Sequence, residues 1–166
     1  MKKVKKKTTN NDNKERLSFI FGAILFGISI YLCFAFVSYF STGAADQTLI
    51  EEPRDGEVLN EHHEFENTCG SLGAYAAWFF IKRCFGLPAF LIPLLLFVVA
   101  IHLMKAYRVN LLKWTLSVAL LMIWASVALA TFLQPLFADA SFSPGGDHGM
   151  FISNFIGNLV GAPGLT

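Results

Sequence analysis

The stretch "CGSLGAYAAWFFIKRCFGLPAF" (residues 69–90) decides how this chain folds. It opens like a membrane span, yet Lys82 and Arg83 stand where a span is most apolar, and Gly86-Leu87-Pro88 follows at once. Residues 70–81 offer 12 uncharged positions, ~18 Å of helix against a hydrocarbon core of about 30 Å. Snorkelling by the two cations recovers part of that gap, whereas a helix lying on the surface has none to close. The expectation is an interfacial helix over about 70–85, with Tyr75 and Trp78 at headgroup depth and Lys82 and Arg83 reaching water or phosphate.

The flanking sequence is of membrane type. Of 166 residues 54% are hydrophobic, 17 are Phe, and only 15% are charged, against about 25% in an ordinary globular domain. Residues 17–40 and 114–134 carry no charge and exceed the ~20 residues that a span needs. Residues 87–104 give a third candidate, with His102 near its end and a Pro93 that a helix inside a bundle tolerates. "MKKVKKK" resembles the basic start of a signal peptide, but the apolar run after it has 24 residues, beyond the 7–15 of a cleavable h-region. It reads as a retained first helix.

Charge segregates along the chain and sets the topology. Seven of the 13 basic residues precede residue 17, so the arm 1–16 is expected in the cytoplasm; eight of the 12 acidic ones lie between Asp46 and Glu66. Residues 41–67 read as an acidic, solvated external loop. Two arrangements then compete: either 70–86 crosses inward and "KAYRVNLLK" (105–113) is external, or 70–85 stays on the outer surface and 105–113 is cytoplasmic. The length argument favours the second.

An internal repeat adds weight to it. Gly70 and Gly73 of the first copy align with Gly146 and Gly149 of "GGDHGMFISNFIGNLVGAPGLT" (145–166), and Gly86 and Pro88 align with Gly161 and Pro163, with one residue fewer between in the second copy. In that copy Ser153, Asn154, Gly157 and Asn158 form one stripe at helical spacing, opposite Phe151, Ile152, Phe155, Leu159 and Val160, as expected of an interfacial helix over about 149–160. Pro88 opens a span in the first half; the sequence ends just after Pro163, where a fourth span is expected. The expected fold class is therefore an all-α polytopic membrane domain with three full spans, two outer-face interfacial helices and a fourth span missing or truncated. A domain cut from a longer polypeptide is the expectation, a genuine three-span protein the alternative.

Little chemistry is written into the chain. His62, His63, Glu64, Glu66 and Cys69 gather in "EHHEFENTC" (61–69), but adjacent His residues diverge and the spacing fits no zinc motif, so the segment reads as solvated acidic loop. His102 lies within a turn of Lys105 and reads as an interfacial residue rather than a proton relay. Cys33, mid-helix, reads as a small packing residue, and no disulfide is expected from the three cysteines. "GGDHG" (145–149) lacks the Gly-Lys-Ser/Thr of a phosphate loop, and no catalytic, cofactor or metal site is expected. The spans contain no Asp, Glu, Lys or Arg, against what a pump or ion-coupled transporter needs. Small residues offer close helix contacts at Gly22 and Gly27 and at Ala119, Ser126, Ala128 and Ala130.

Taken in order, residues 17–166 resemble the N-terminal four-span membrane region of FtsK/SpoIIIE-type bacterial DNA translocases. The string that carries the resemblance is Gly70, Gly73, Ala74, Ala77, Phe85, Gly86, Ala89, Phe90 and Pro93. It implies a multi-pass anchor in the inner membrane at the division septum, tethering a hexameric ATP-driven motor that moves chromosomal DNA. The implied partners are the lipid bilayer, other membrane proteins of cell division and further copies in a homo-oligomer, with DNA engaged only by a motor outside these residues. The chain departs from the family in carrying neither linker nor motor. A small transporter or channel, or a stand-alone membrane scaffold, is the alternative from other classes.

Overall fold

The computed structural model describes residues 2–52, 64–137 and 142–161, and every regular element among them is helical. Helix α1 runs over Lys2–Glu51, α2 over Gly70–Ala77, α3 over Leu91–Leu103, α4 over Leu111–Phe132 and α5 over Gly146–Val160. A π-helical segment, Trp78–Phe85, continues α2, and 3₁₀ turns occupy Leu87–Phe90 and Gln134–Phe137. Helices α1 and α4 are long and apolar enough to cross a membrane; Leu87–Leu103 forms a shorter apolar helix.

The packing is that of a membrane protein. Small residues take a large share of its interior, where Ala35, Ala74, Ala77, Ala89 and Ala100 are fully buried beside Phe36 and Ile81. Large apolar side chains such as Phe21, Phe34, Leu120, Trp124 and Phe151 face outward. Water penalises that distribution, whereas lipid tails accept it and leave close contact between small residues as the source of helix association. Gly22 shows the principle, since a Cβ there would lie 2.9 Å from the Ala100 carbonyl oxygen on α3; Gly27 faces open space.

Helices α1 and α3 pair antiparallel along their length. Glu15 meets Lys105 at 2.8 Å, the Ser18 hydroxyl donates to the Leu103 carbonyl (3.0 Å), Phe26 packs on Phe97 (5.6 Å), and Phe36 packs edge-on to Phe90 (5.5 Å). Between them the buried Ser29 hydroxyl donates to the carbonyl of Pro93 (2.7 Å), in the first turn of α3, where a missing N–H costs least. Residues 103–105 therefore lie at the same end of the α1–α3 pair as the start of α1. The segment 70–85 begins and ends near the other half of α1: the Cys69 carbonyl accepts from the Tyr31 hydroxyl (2.8 Å), and Phe90, just past the segment, touches both Phe36 and Phe40.

The acidic loop expected at 41–67 is corrected in its first part. Residues 41–51 continue α1, because Ala44, Ala45, Gln47 and Leu49 suit a helix; the hydroxyls of Ser41, Thr42 and Thr48 find partners within it, on carbonyls three or four residues earlier. Tertiary contact completes the reason. Ile50 packs with Phe65 and Ala74, and the fully buried Asp46 carboxylate accepts the N–H groups of Glu66 (2.7 Å) and Asn67 (3.1 Å). A carboxylate expected in water is thus the clamp that returns the chain to α1.

Candidate functional site: the junction of the repeated helices

Each copy of the repeat is built the same way. The Gly70 N–H donates to the Asn67 carbonyl (2.8 Å), and the Gly146 N–H to the Ser143 carbonyl (3.0 Å), so both helices follow the same tight turn. The aligned glycines also share a left-handed backbone, with φ of 64° at Gly70 and 68° at Gly146, then 69° at Gly86 and 76° at Gly161 where the helices stop. Gly73 and Gly149 let each helix settle on the span before it. A Cβ at Gly73 would lie 3.3 Å from the Ala35 Cβ on α1, and one at Gly149 would lie 2.7 Å from the Ser126 Oγ on α4. Pro88 is buried in the 3₁₀ turn that opens α3, while Pro163 lies outside the described residues.

The one-residue difference between the copies has a physical form. In the second copy the Gly161 N–H closes on the carbonyl of Gly157, four residues back; in the first the Gly86 N–H closes on Ile81, five back (2.8 Å). The π-helical segment Trp78–Phe85 holds the extra residue, in keeping with π turns as local insertions that collect at functional sites.

The end of the first copy meets the start of the second. The Leu87 N–H donates to the Pro144 carbonyl (2.8 Å), and the backbones of Gly86 and Gly146 are in direct contact. Phe85 packs edge-on to His148 (5.5 Å), whose Nδ1 is buried without a hydrogen-bond partner. Lys82 and Arg83 now have a place. They occupy the last turn of the π-helical segment, where the helix dipole favours cations. Lys82 pairs with Glu51 at the end of α1 (3.0 Å), and Arg83 pairs with Asp147 in the first turn of α5 (3.5 Å) while lying over the Trp78 ring (5.5 Å). The Lys82 ammonium, and after it the Gln47 amide, hold the Glu51 carboxyl below its ordinary range. The buried Trp78 Nε1 lies near the same carboxylate but outside hydrogen-bonding geometry. Burial, with Asp147 beside it, pushes the Cys84 thiol up, away from thiolate reactivity.

The second helix turns only part of its small and polar stripe inward. Ser153 is buried and its hydroxyl bonds that of Thr131 on α4 (2.8 Å), and the Ser126 hydroxyl donates to the Gly145 carbonyl (2.6 Å). Asn154 and Asn158 remain exposed, and Phe151, Phe155 and Leu159 face out. The stripe seen in the sequence is therefore in part a packing face.

The other sequence candidates disperse. His62 and His63 lie outside the described residues. Cys69 donates its thiol to the Tyr31 carbonyl (3.5 Å), Cys33 is exposed rather than packed, and all three cysteines are free. His102 accepts the Val109 N–H at Nδ1 (3.1 Å). Among the described residues no group of three His, Cys, Asp or Glu could hold a metal ion. Asp46 and Asp147 escaped the sequence reading, whereas Ser126, one of the small residues expected at a close helix contact, does touch Gly145 and Gly149. For Asp46 the run of helix formers around it was an available signal, but no spacing pairs Arg83 with Asp147.

No curated protein and no solved structure matches the chain. A family model, the 4TM region of DNA translocase FtsK/SpoIIIE, matches residues 14–166. That match takes in both copies of the repeat and the span before each, so the chain belongs to the family of FtsK/SpoIIIE four-span membrane regions.

Proposed function

We propose that this chain anchors a DNA translocase in the inner membrane and directs it to the division septum, where the translocase serves chromosome segregation. The observation that carries the reading is the family match over residues 14–166, on a structure whose large apolar side chains face outward. The chain's own part is mechanical: it spans, and it presents a rigid surface to neighbours in the division machinery or to further copies. ATP hydrolysis and DNA contact belong to a motor outside these residues.

The topology that fits has a cytoplasmic N-terminus and three spans: residues 17–40 within α1, residues 87–104 and residues 114–134. Residues 70–85 lie at the outer face without crossing, as α5 does. Two contacts support it: Lys105 pairs with Glu15, which brings the 105–113 loop to the end where the basic arm enters, and both ends of 70–85 sit against Tyr31–Phe40.

A fluorescent fusion of the chain tests the function. Retention in carbonate-washed membranes and accumulation at midcell are expected. A fusion washed off by carbonate overturns the anchor, and one spread evenly over the membrane overturns the targeting. In intact cells a membrane-impermeant maleimide is expected to label an Arg83→Cys variant, whose position is exposed, and to spare a Tyr107→Cys variant, both made without the native cysteines; the reverse pattern overturns the topology.

A further inference from the structure

At the end of the bundle away from the repeat junction, two recesses open side by side between the start of α1 and the end of α3. One, of about 360 Å³, is lined by Ser18, His102, Leu103, Lys105 and Arg108. The other, of about 430 Å³, is walled by Phe19, Ile20, Leu103 and Met104, with Glu15, Arg16 and Lys105 at its edge. Leu103 and Lys105 line both, so a polar, basic recess runs into an apolar one.

We propose that this pair of recesses is a binding site for one anionic phospholipid, its phosphate held by Lys105 and Arg108 and an acyl chain lying along Phe19, Ile20 and Met104. The proposal rests on the reading that α1 and α3 span the bilayer, because that places the recesses at headgroup depth. Basic pockets between spanning helices are the usual form of anionic headgroup recognition. Exposed Tyr107 and Trp114 lie close by in sequence, residue types that mark the membrane interface.

The local chemistry suits a phosphate. Among the residues lining the two recesses, Arg16, Lys105 and Arg108 are accompanied by one carboxylate, that of Glu15, which holds Lys105 at 2.8 Å. His102 accepts the Val109 N–H at Nδ1, which places the proton of the neutral ring on Nε2 and makes that atom a donor. A second, independent feature is the backbone at Lys105. It has φ of 59°, the only positive φ at a non-glycine among the described residues, in the position just past a helix end that glycine ordinarily fills. A lysine there is strained where glycine is not, and its side chain lines both recesses. The apolar recess is what distinguishes a lipid from a free anion, because inorganic phosphate has no use for it.

Native mass spectrometry of the full chain, released from detergent with phosphatidylglycerol or phosphatidylcholine added, tests the site. Wild type is expected to retain phosphatidylglycerol in preference to phosphatidylcholine. Arg108→Ala and Lys105→Gly are each expected to weaken that retention about fivefold, and Asn158→Ala, an exposed uncharged position on α5, to leave it unchanged. Lys105→Gly relieves the left-handed backbone, so its loss of lipid cannot be laid to misfolding. Equal retention of the two lipids, retention unchanged in both variants, or displacement by millimolar inorganic phosphate overturns the proposal. Carbonate washing of membranes separates the two levels. A chain that washes off refutes the spanning reading and the site with it, while a chain that stays inserted without lipid preference refutes the site alone.

Discussion

Gly86 and Gly146 meet backbone to backbone: a Cβ on either would lie 2.6 Å from the amide nitrogen of the other. The two residues close one helix and open the next, 60 positions apart in the chain, and both hold φ near 69° (69° and 68°). The contact welds the halves of the repeat with no room for a side chain on either partner.

Gly86→Ala and Gly146→Ala are each expected to destabilise the fold by about 2–6 kcal/mol, the sum of a positive-φ backbone penalty of ~1–3 and an overpacking penalty of ~1–3. Gly27→Ala is the control, because nothing lies within 4 Å of its added Cβ. Thermal unfolding in detergent reads the difference. Equal midpoints for Gly86→Ala and Gly27→Ala would show that the junction yields at little cost.

Asp46 supports a prediction of another kind. Asp46→Ala leaves the N–H groups of Glu66 and Asn67 without their acceptor in a buried place, each at about 1–3 kcal/mol. Asp46→Asn keeps one acceptor oxygen and is expected to fall between wild type and Asp46→Ala. Cys69, two residues beyond Asn67, is expected to react faster with maleimide as the clamp loosens; an unchanged rate in Asp46→Ala would mean that the turn at 67–70 holds itself.

These residues show what the sequence made legible. The repeat could be read because glycine is close to obligatory where a helix starts or stops in a left-handed conformation, so Gly70, Gly86, Gly146 and Gly161 mark backbone geometry directly. Charge-free runs mark the lipid-facing surface for an equally local reason. The end of α1 was not legible. Its apolar run stops at Phe40, but the helix continues to Glu51, held by Phe65 and by the N–H groups of Glu66 and Asn67. Composition reads Asp46 as solvated, and only the returning chain turns it into a buried acceptor. The Arg83–Asp147 pair is hidden for the same reason, since it joins separate elements across the junction. The missing residue in the second copy was visible as a count, and became a π-helical segment only with hydrogen bonds in view.

The Lys82–Glu51 pair gives a pH dependence. Glu51 is held below its ordinary value of 4.5 in the fold, so the pair's contribution is full above that value and is lost as pH falls through the depressed folded value. Wild type is therefore expected to lose more stability than Lys82→Met as pH is taken from neutrality to below the ordinary value of 4.5, by a small margin because Glu51 is solvent-exposed. Parallel unfolding curves for the two proteins over that range would remove the pair from the account.

The π-helical segment allows the most discriminating test of the repeat. If Trp78–Phe85 accommodates one inserted residue, deleting a residue there returns the first copy to the Gly-to-Gly spacing of the second and lets i→i+4 bonds replace i→i+5. Phe79 is the residue to remove, because its ring is half exposed and leaves no cavity in the core. The helices on either side keep their phase, so Gly73 stays on Ala35 and Gly86 stays on Gly146. A cost below about 2 kcal/mol is expected, within the ordinary range for a single change. Helix α5 has no such slack. Deleting the exposed Asn154 turns everything after it by about 100° relative to α4, carrying Gly157 and Gly161 away from their positions, and that chain is expected not to accumulate in the membrane. Thermal midpoints in detergent and membrane yields compare the two deletions. Equal damage from both would show that the π-helical segment is a required shape and not an absorbed insertion.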